Sequence, residues 1–126
     1  MPFSVTYNSP EGLIEMRVRG KLDLPTVQQL ALQAAQIAKE NDCRRVLSDY
    51  REAVLDLSTL QIYDLQNMLA DIARTSGLRM ESFKRALVVG ADLADFAFFE
   101  TVSQNRNQTV KLFNNIELAM QWLLTA

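Results

Sequence analysis

Few side chains in this chain can do chemistry, and three of them stand where a ligand would be met. Asp49 closes the apolar run Val46-Leu47, Ser58 precedes Gln61 by three residues, and Asp92 follows Gly90 after Ala86-Leu87-Val88-Val89. In an open α/β sheet, ligands gather outside the carboxyl ends of the strands, so Asp49, Glu52, Asp56, Ser58, Gly90 and Asp92 are expected along one edge. Helix starts at Ser58 and Asp92 would add backbone amides free to receive an anion. The same side chains have structural uses: Ser58 and Asp92 are good helix caps whatever the function, and Asp49 can order the loop after it.

The residues that are missing narrow the chemistry. The chain has no histidine, which removes the commonest general base and metal ligand and rules out serine-histidine and cysteine-histidine nucleophile pairs. A zinc site has no plausible ligand set, and Gly12, Gly20, Gly77 and Gly90 are too scattered for a phosphate-cradling loop. Cys43 is the only cysteine, so it closes no intramolecular disulfide and is read as structural. The expectation is a protein with no catalytic residue, no cofactor and no metal.

Two surfaces remain as binding candidates. Helices two and three carry more apolar bulk than one narrow stripe needs, and Leu65, Met68, Leu69 and Phe98 outline a candidate apolar cleft between them. Phe98 stands about 100° around the helix from Phe99, turned toward a pocket, a subunit or lipid. Nine of the thirteen basic residues, among them Arg44, Arg45, Lys84 and Arg85, fall near helix ends or strand starts on the opposite edge. Cations favour helix C-termini, and a basic face also suits an anionic partner or membrane surface.

The elements that position these residues follow from periodicity. Phe3, Val5 and Tyr7 alternate with polar neighbours, Ser9-Pro10-Glu11-Gly12 turns the chain, and Ile14, Met16 and Val18 resume the alternation, which predicts an antiparallel hairpin. From Asp23 the spacing of Val27, Leu30, Ala31, Ala34, Ile37 and Ala38 is helical, with Pro25 in the first turn. Val46 and Leu47 begin a strand buried on both faces. Ser58 and Gln61 have capping-box spacing and Leu57 and Ile62 staple spacing, so helix two starts at Ser58 and runs to a glycine cap at Gly77. A strand over Ala86–Val89, a helix capped by Asp92 and stopping near Asn107, a strand over Val110–Phe113, and a last helix started by Asn114 and Glu117 complete the order. The prediction is an α/β domain: a mixed sheet of about five strands, an opening antiparallel hairpin followed by parallel βαβ units, covered by about four helices.

At 126 residues the chain has room for one hydrophobic core, and residues 1–126 read as a single domain without repeats or long linkers. Its hydrophobic fraction of 48% and charged fraction of 22% are those of a globular protein, and no apolar run is long enough to span a bilayer. Net charge of −2 argues against nucleic acid as a partner. Met1 to Pro10 lacks the layout of a secretory signal, so the expected location is the cytoplasm, with peripheral membrane contact open through the basic edge.

Three stretches carry a resemblance to a known family: Val46-Leu47-Ser48-Asp49-Tyr50-Arg51-Glu52-Ala53, Phe99-Glu100-Thr101-Val102 through Asn105-Arg106-Asn107, and Val110 to Phe113 followed by Glu117, Ala119, Trp122 and Leu123. In order and spacing the chain resembles SpoIIAA-like proteins, related in fold to STAS domains such as anti-sigma factor antagonists and, more distantly, to lipid-binding CRAL-TRIO domains. The resemblance implies a non-enzymatic module used in regulation or in holding a small or lipidic ligand. In the anti-sigma antagonists a phosphorylatable serine directly follows the third strand, in an Asp-Ser-Ser-Gly type turn. Here Asp49 is followed by Tyr50, Arg51 and Glu52, and Ser58 comes only after a longer loop, so no matching motif carries the phosphoswitch to Ser58. The leading expectation is a regulatory or protein-interaction module, with a homodimer among its forms. Its rival is a carrier or membrane-associating domain that opens helices two and three around a small apolar or lipidic ligand, and the weakest alternative is a phosphate-handling enzyme using Asp49 and Asp92 with a metal.

Overall fold

The computed structural model describes residues 2–90 and 93–125. Along them run β1 (Phe3–Asn8), β2 (Leu13–Leu22), α1 (Leu24–Asn41), β3 (Arg45–Leu55), α2 (Thr59–Thr75), one 3-10 turn (Met80–Ser82), β4 (Lys84–Val89), α3 (Leu93–Gln104), β5 (Thr109–Phe113) and α4 (Ile116–Leu124). The strands form one sheet in the order β1-β2-β3-β4-β5. β1 is antiparallel to β2, and every later neighbour is parallel, which is the mixed architecture read from the sequence.

The opening hairpin pairs Phe3 with Val18 and Asn8 with Leu13. Its turn closes through the Gly12 amide, which donates to the Asn8 carbonyl at 2.8 Å, and Gly12 has φ +69°, a left-handed conformation that glycine adopts without Cβ strain. β2 and β3 extend beyond their predicted ends, pairing as far as Leu22 with Leu55. Between Arg17, opposite Asp49, and Arg19, opposite Glu52, β3 carries one extra residue. This bulge breaks the alternation that reveals a strand: Arg51 and Glu52 are both exposed before Ala53 returns to the core.

Alternation along β3 and β4 divides the molecule into two layers. Val46, Tyr50, Leu87 and Val89 face α1, α2 and α3, where Leu30, Leu65 and Phe96 are fully buried and the Tyr50 and Phe96 rings stack 5.7 Å apart. Leu47, Ala86 and Val88 face the other way and pack with Leu13 against Ala119 and Leu123 of α4. Each such Leu or Val taken out of water contributes about 1.5–3 kcal/mol.

The helix starts are built as local rules require. Asp23 accepts from the Thr26 amide at 3.0 Å and its hydroxyl at 2.6 Å. Ser58 and Gln61 complete a reciprocal capping box, with the Gln61 amide donating to Ser58 Oγ and the Ser58 amide to Gln61 Oε1. The cap of α4 is Asn115 rather than Asn114: Asn115 Oδ1 accepts from the Leu118 amide at 3.1 Å. The chain needs one further residue to turn out of β5 before a helix can begin. The expected cap at Asp92 lies outside the described residues.

Candidate functional site

Asp49 is buried on the α4 side of the sheet, in register with Arg17. Its carboxylate accepts from the Arg51 amide at 3.2 Å, from Arg51 Nε at 2.9 Å and Nη2 at 2.8 Å, and from Arg17 Nη2 at 3.4 Å. The hydrogen bonds from Arg51 hold the carboxyl below its ordinary range, against the opposing pull of burial. A carboxylate so clamped orders the bulge and has little lone-pair capacity left for a ligand. Ser58 belongs to the opposite layer, at the exposed start of α2, and its hydroxyl is engaged by the capping box. Asp92 lies outside the described residues, so of the three candidates the structure describes two, and it sets their side chains in different layers.

The expected apolar cleft between α2 and α3 is also rearranged. Leu65 and Leu69 are core residues, Met68 and Phe98 are half-buried, and the two helices are joined by a hydrogen bond from Gln66 Nε2 to Ser103 Oγ at 3.3 Å. Phe98 meets Tyr63 edge to face at 5.7 Å. Tyr63 is 48% exposed, and Leu60, one turn earlier on the same helix, is 69% exposed. The capping box fixes the phase of α2: with Ile62, Leu65 and Leu69 inside, Leu60 and Tyr63 share an outer face. That signal was present in the sequence.

An apolar cavity of about 80 Å³ lies elsewhere, between the sheet and α1 and α2. Ala31, Ala34 and Ala35 of α1 face Ala73 of α2 across it, and Tyr50, Phe96, Phe99 and Arg85 line its walls. Of the four residues predicted for an apolar cleft, only Leu69 is among its walls.

Arg85 was expected on an exposed basic face, and it is 8% exposed. It shares the inward face of β4 with Leu87 and Val89, a placement that period-two counting back from Val89 would have given. Its Nη1 donates to Gln108 Oε1 at 2.8 Å, and the guanidinium lies over the Phe99 ring. Burial pushes it down to about 10, well above neutrality, so it remains a cation. Burial also pushes the Tyr50 hydroxyl up, with the neighbouring Ser48 hydroxyl and the Arg85 charge opposing. Two others of the predicted basic face have structural bonds: Arg44 donates to the Ala38 carbonyl at the end of α1, and Lys84 to the Trp122 and Thr125 carbonyls at the end of α4. Arg45 is half-buried. Among the described residues no three metal-ligating side chains stand together, and no helix is long and apolar enough to cross a membrane.

No family model matches the chain, and no curated protein matches it in sequence. Solved structures do match in fold. An anti-sigma factor antagonist from Mycobacterium paratuberculosis superposes with a TM-score of 0.59 at 14% identity, covering 98% of this chain and 95% of that one. An uncharacterised DUF3478 protein with a SpoIIAA-like fold from Shewanella loihica PV-4 gives a TM-score of 0.60 at 17% identity over 96% of this chain and 91% of its own. The anti-sigma factor antagonist SpoIIAA in its unphosphorylated form gives 0.53 at 12% identity, covering 98% and 99%. The chain has the SpoIIAA-like fold.

Proposed function

We propose that the protein is a non-catalytic interaction module that recognises a protein partner through the start of α2 and the adjoining face of α3. The observation that carries this reading is the exposed apolar pair Leu60 and Tyr63, Tyr63 set against the half-buried Phe98, beside a firmly capped helix start. Apolar residues clustered on a monomer's surface mark interaction sites, and a tyrosine anchored against a second aromatic ring offers contact area at low entropic cost. Similarity in fold to two anti-sigma factor antagonists supports the same class of activity, action through another protein. The clamped Asp49 and the absence of histidine support a role without turnover.

The test compares the wild-type chain with the double variant Leu60→Glu/Tyr63→Glu as bait in quantitative affinity capture from the source cell, with Arg74→Gln as a surface control. A protein retained by wild type and by Arg74→Gln, and reduced about tenfold or more by the double variant, is the expected outcome. Capture indifferent to the double variant overturns the proposed surface. Concentration-dependent dimerisation abolished by the same variant would make the partner a second copy of the chain.

A further inference from the structure

We infer that the cavity beneath α1 and α2 receives a small amphipathic carboxylate, its apolar body among the alanines and its carboxylate on the Arg85 guanidinium. This inference stands apart from the partner surface at Leu60 and Tyr63. Among the described residues Arg85 is a buried cation without a counter-charge: no carboxylate of theirs lies within ion-pair distance of it, and Gln108 is its one side-chain hydrogen-bond partner. A guanidinium removed from water is costly unless an anion meets it, and a carboxylate meets its planar fork through two parallel hydrogen bonds. Arg85 is therefore the one charged residue in a wall that is otherwise apolar apart from the Tyr50 side chain.

The size and walls restrict the ligand. The cavity's volume of about 80 Å³ is smaller than the roughly 150 Å³ of an engineered cavity that accepts benzene, so the apolar body is short. The half-buried lining residues Ala31, Ile72 and Met80 mark where it reaches toward solvent. A phosphoryl group carries roughly two negative charges near neutral pH, and the cavity walls supply a single cation.

The experiment titrates the full chain with propionate, with propanol as its neutral counterpart, and with inorganic phosphate, following backbone amide shifts. Propionate should bind about tenfold or more tightly than propanol and shift the amides of Ala34, Tyr50 and Arg85, whereas phosphate should leave those amides unmoved. Arg85→Met should reduce propionate to the affinity of propanol, and Ala34→Leu, which fills the space without touching the charge, should weaken both. Equal binding of propanol and propionate by wild type, a preference for propionate that survives Arg85→Met, or shifts confined to surface residues would each overturn the inference. If Arg85→Met does not fold, the wild-type comparison and Ala34→Leu still decide the matter.

Discussion

Asp49 and Arg85 show how similar-looking charges come to differ once alternation assigns them to faces. Asp49 and Leu47 share one side of β3, and there Asp49 meets Arg17 and Arg51; Arg85 shares the other side with Leu87 and meets a neutral amide in an apolar wall. For Asp49 the consequence is stability that depends on pH. Hydrogen bonding from Arg51 lowers its folded-state pKa below the ordinary value of 3.8, so its contribution is complete above that value and is lost as pH falls through the lowered one. Asp49→Asn should cost about 1–3 kcal/mol at neutral pH, because two arginines lose a charged acceptor. Urea denaturation of both proteins at about pH 7 and about pH 3 measures this, and the gap between them should narrow in acid. A gap of equal size at both values would mean that the ionisation of Asp49 contributes nothing to folding.

Among the elements, the helix starts show what local sequence controls. Ser58→Ala removes one half of the capping box and should destabilise the chain by about 1 kcal/mol, read as a lower urea midpoint with an unchanged slope. A larger loss accompanied by a changed slope would show that Ser58 holds more than the first turn of α2. This cap was legible in the sequence because all its partners lie within three residues. So was the hairpin, where a glycine turn and two alternating runs agree. The far half of β3 was not legible, since a bulge puts Arg51 and Glu52 out on consecutive residues and only pairing with β2 makes that segment a strand. Asn115 was missed for a related reason: Asn114 has the better local spacing, and the exit from β5 selects its neighbour. The cavity depends on how closely α1 approaches α2. Alanines at 31, 34 and 73 were visible as helix-face residues, but spacing alone does not say whether they meet or leave a gap.

At the scale of the whole molecule, two cores on opposite faces of one sheet raise the question of whether they melt apart. The same strands serve both: along β3, Val46 and Leu47 are successive residues buried in opposite layers, and along β4, Leu87 and Val88 repeat the arrangement. Loss of the α4 layer would expose Leu13, Leu47 and Val88 to water and loosen strands on which α1, α2 and α3 also pack. The two layers should therefore unfold as one unit. The only tryptophan, Trp122, lies on α4 against Phe113, so its fluorescence follows the smaller layer, while far-ultraviolet circular dichroism is dominated by the three helices on the other face. Leu123→Ala in the α4 layer and Leu65→Ala in the other should each cost about 2–5 kcal/mol, since both side chains are fully buried. In wild type and in both variants the fluorescence and dichroism midpoints should coincide. A fluorescence transition that precedes the dichroism one, most of all in Leu123→Ala, would show α4 to be a separable layer and the sheet stable without it.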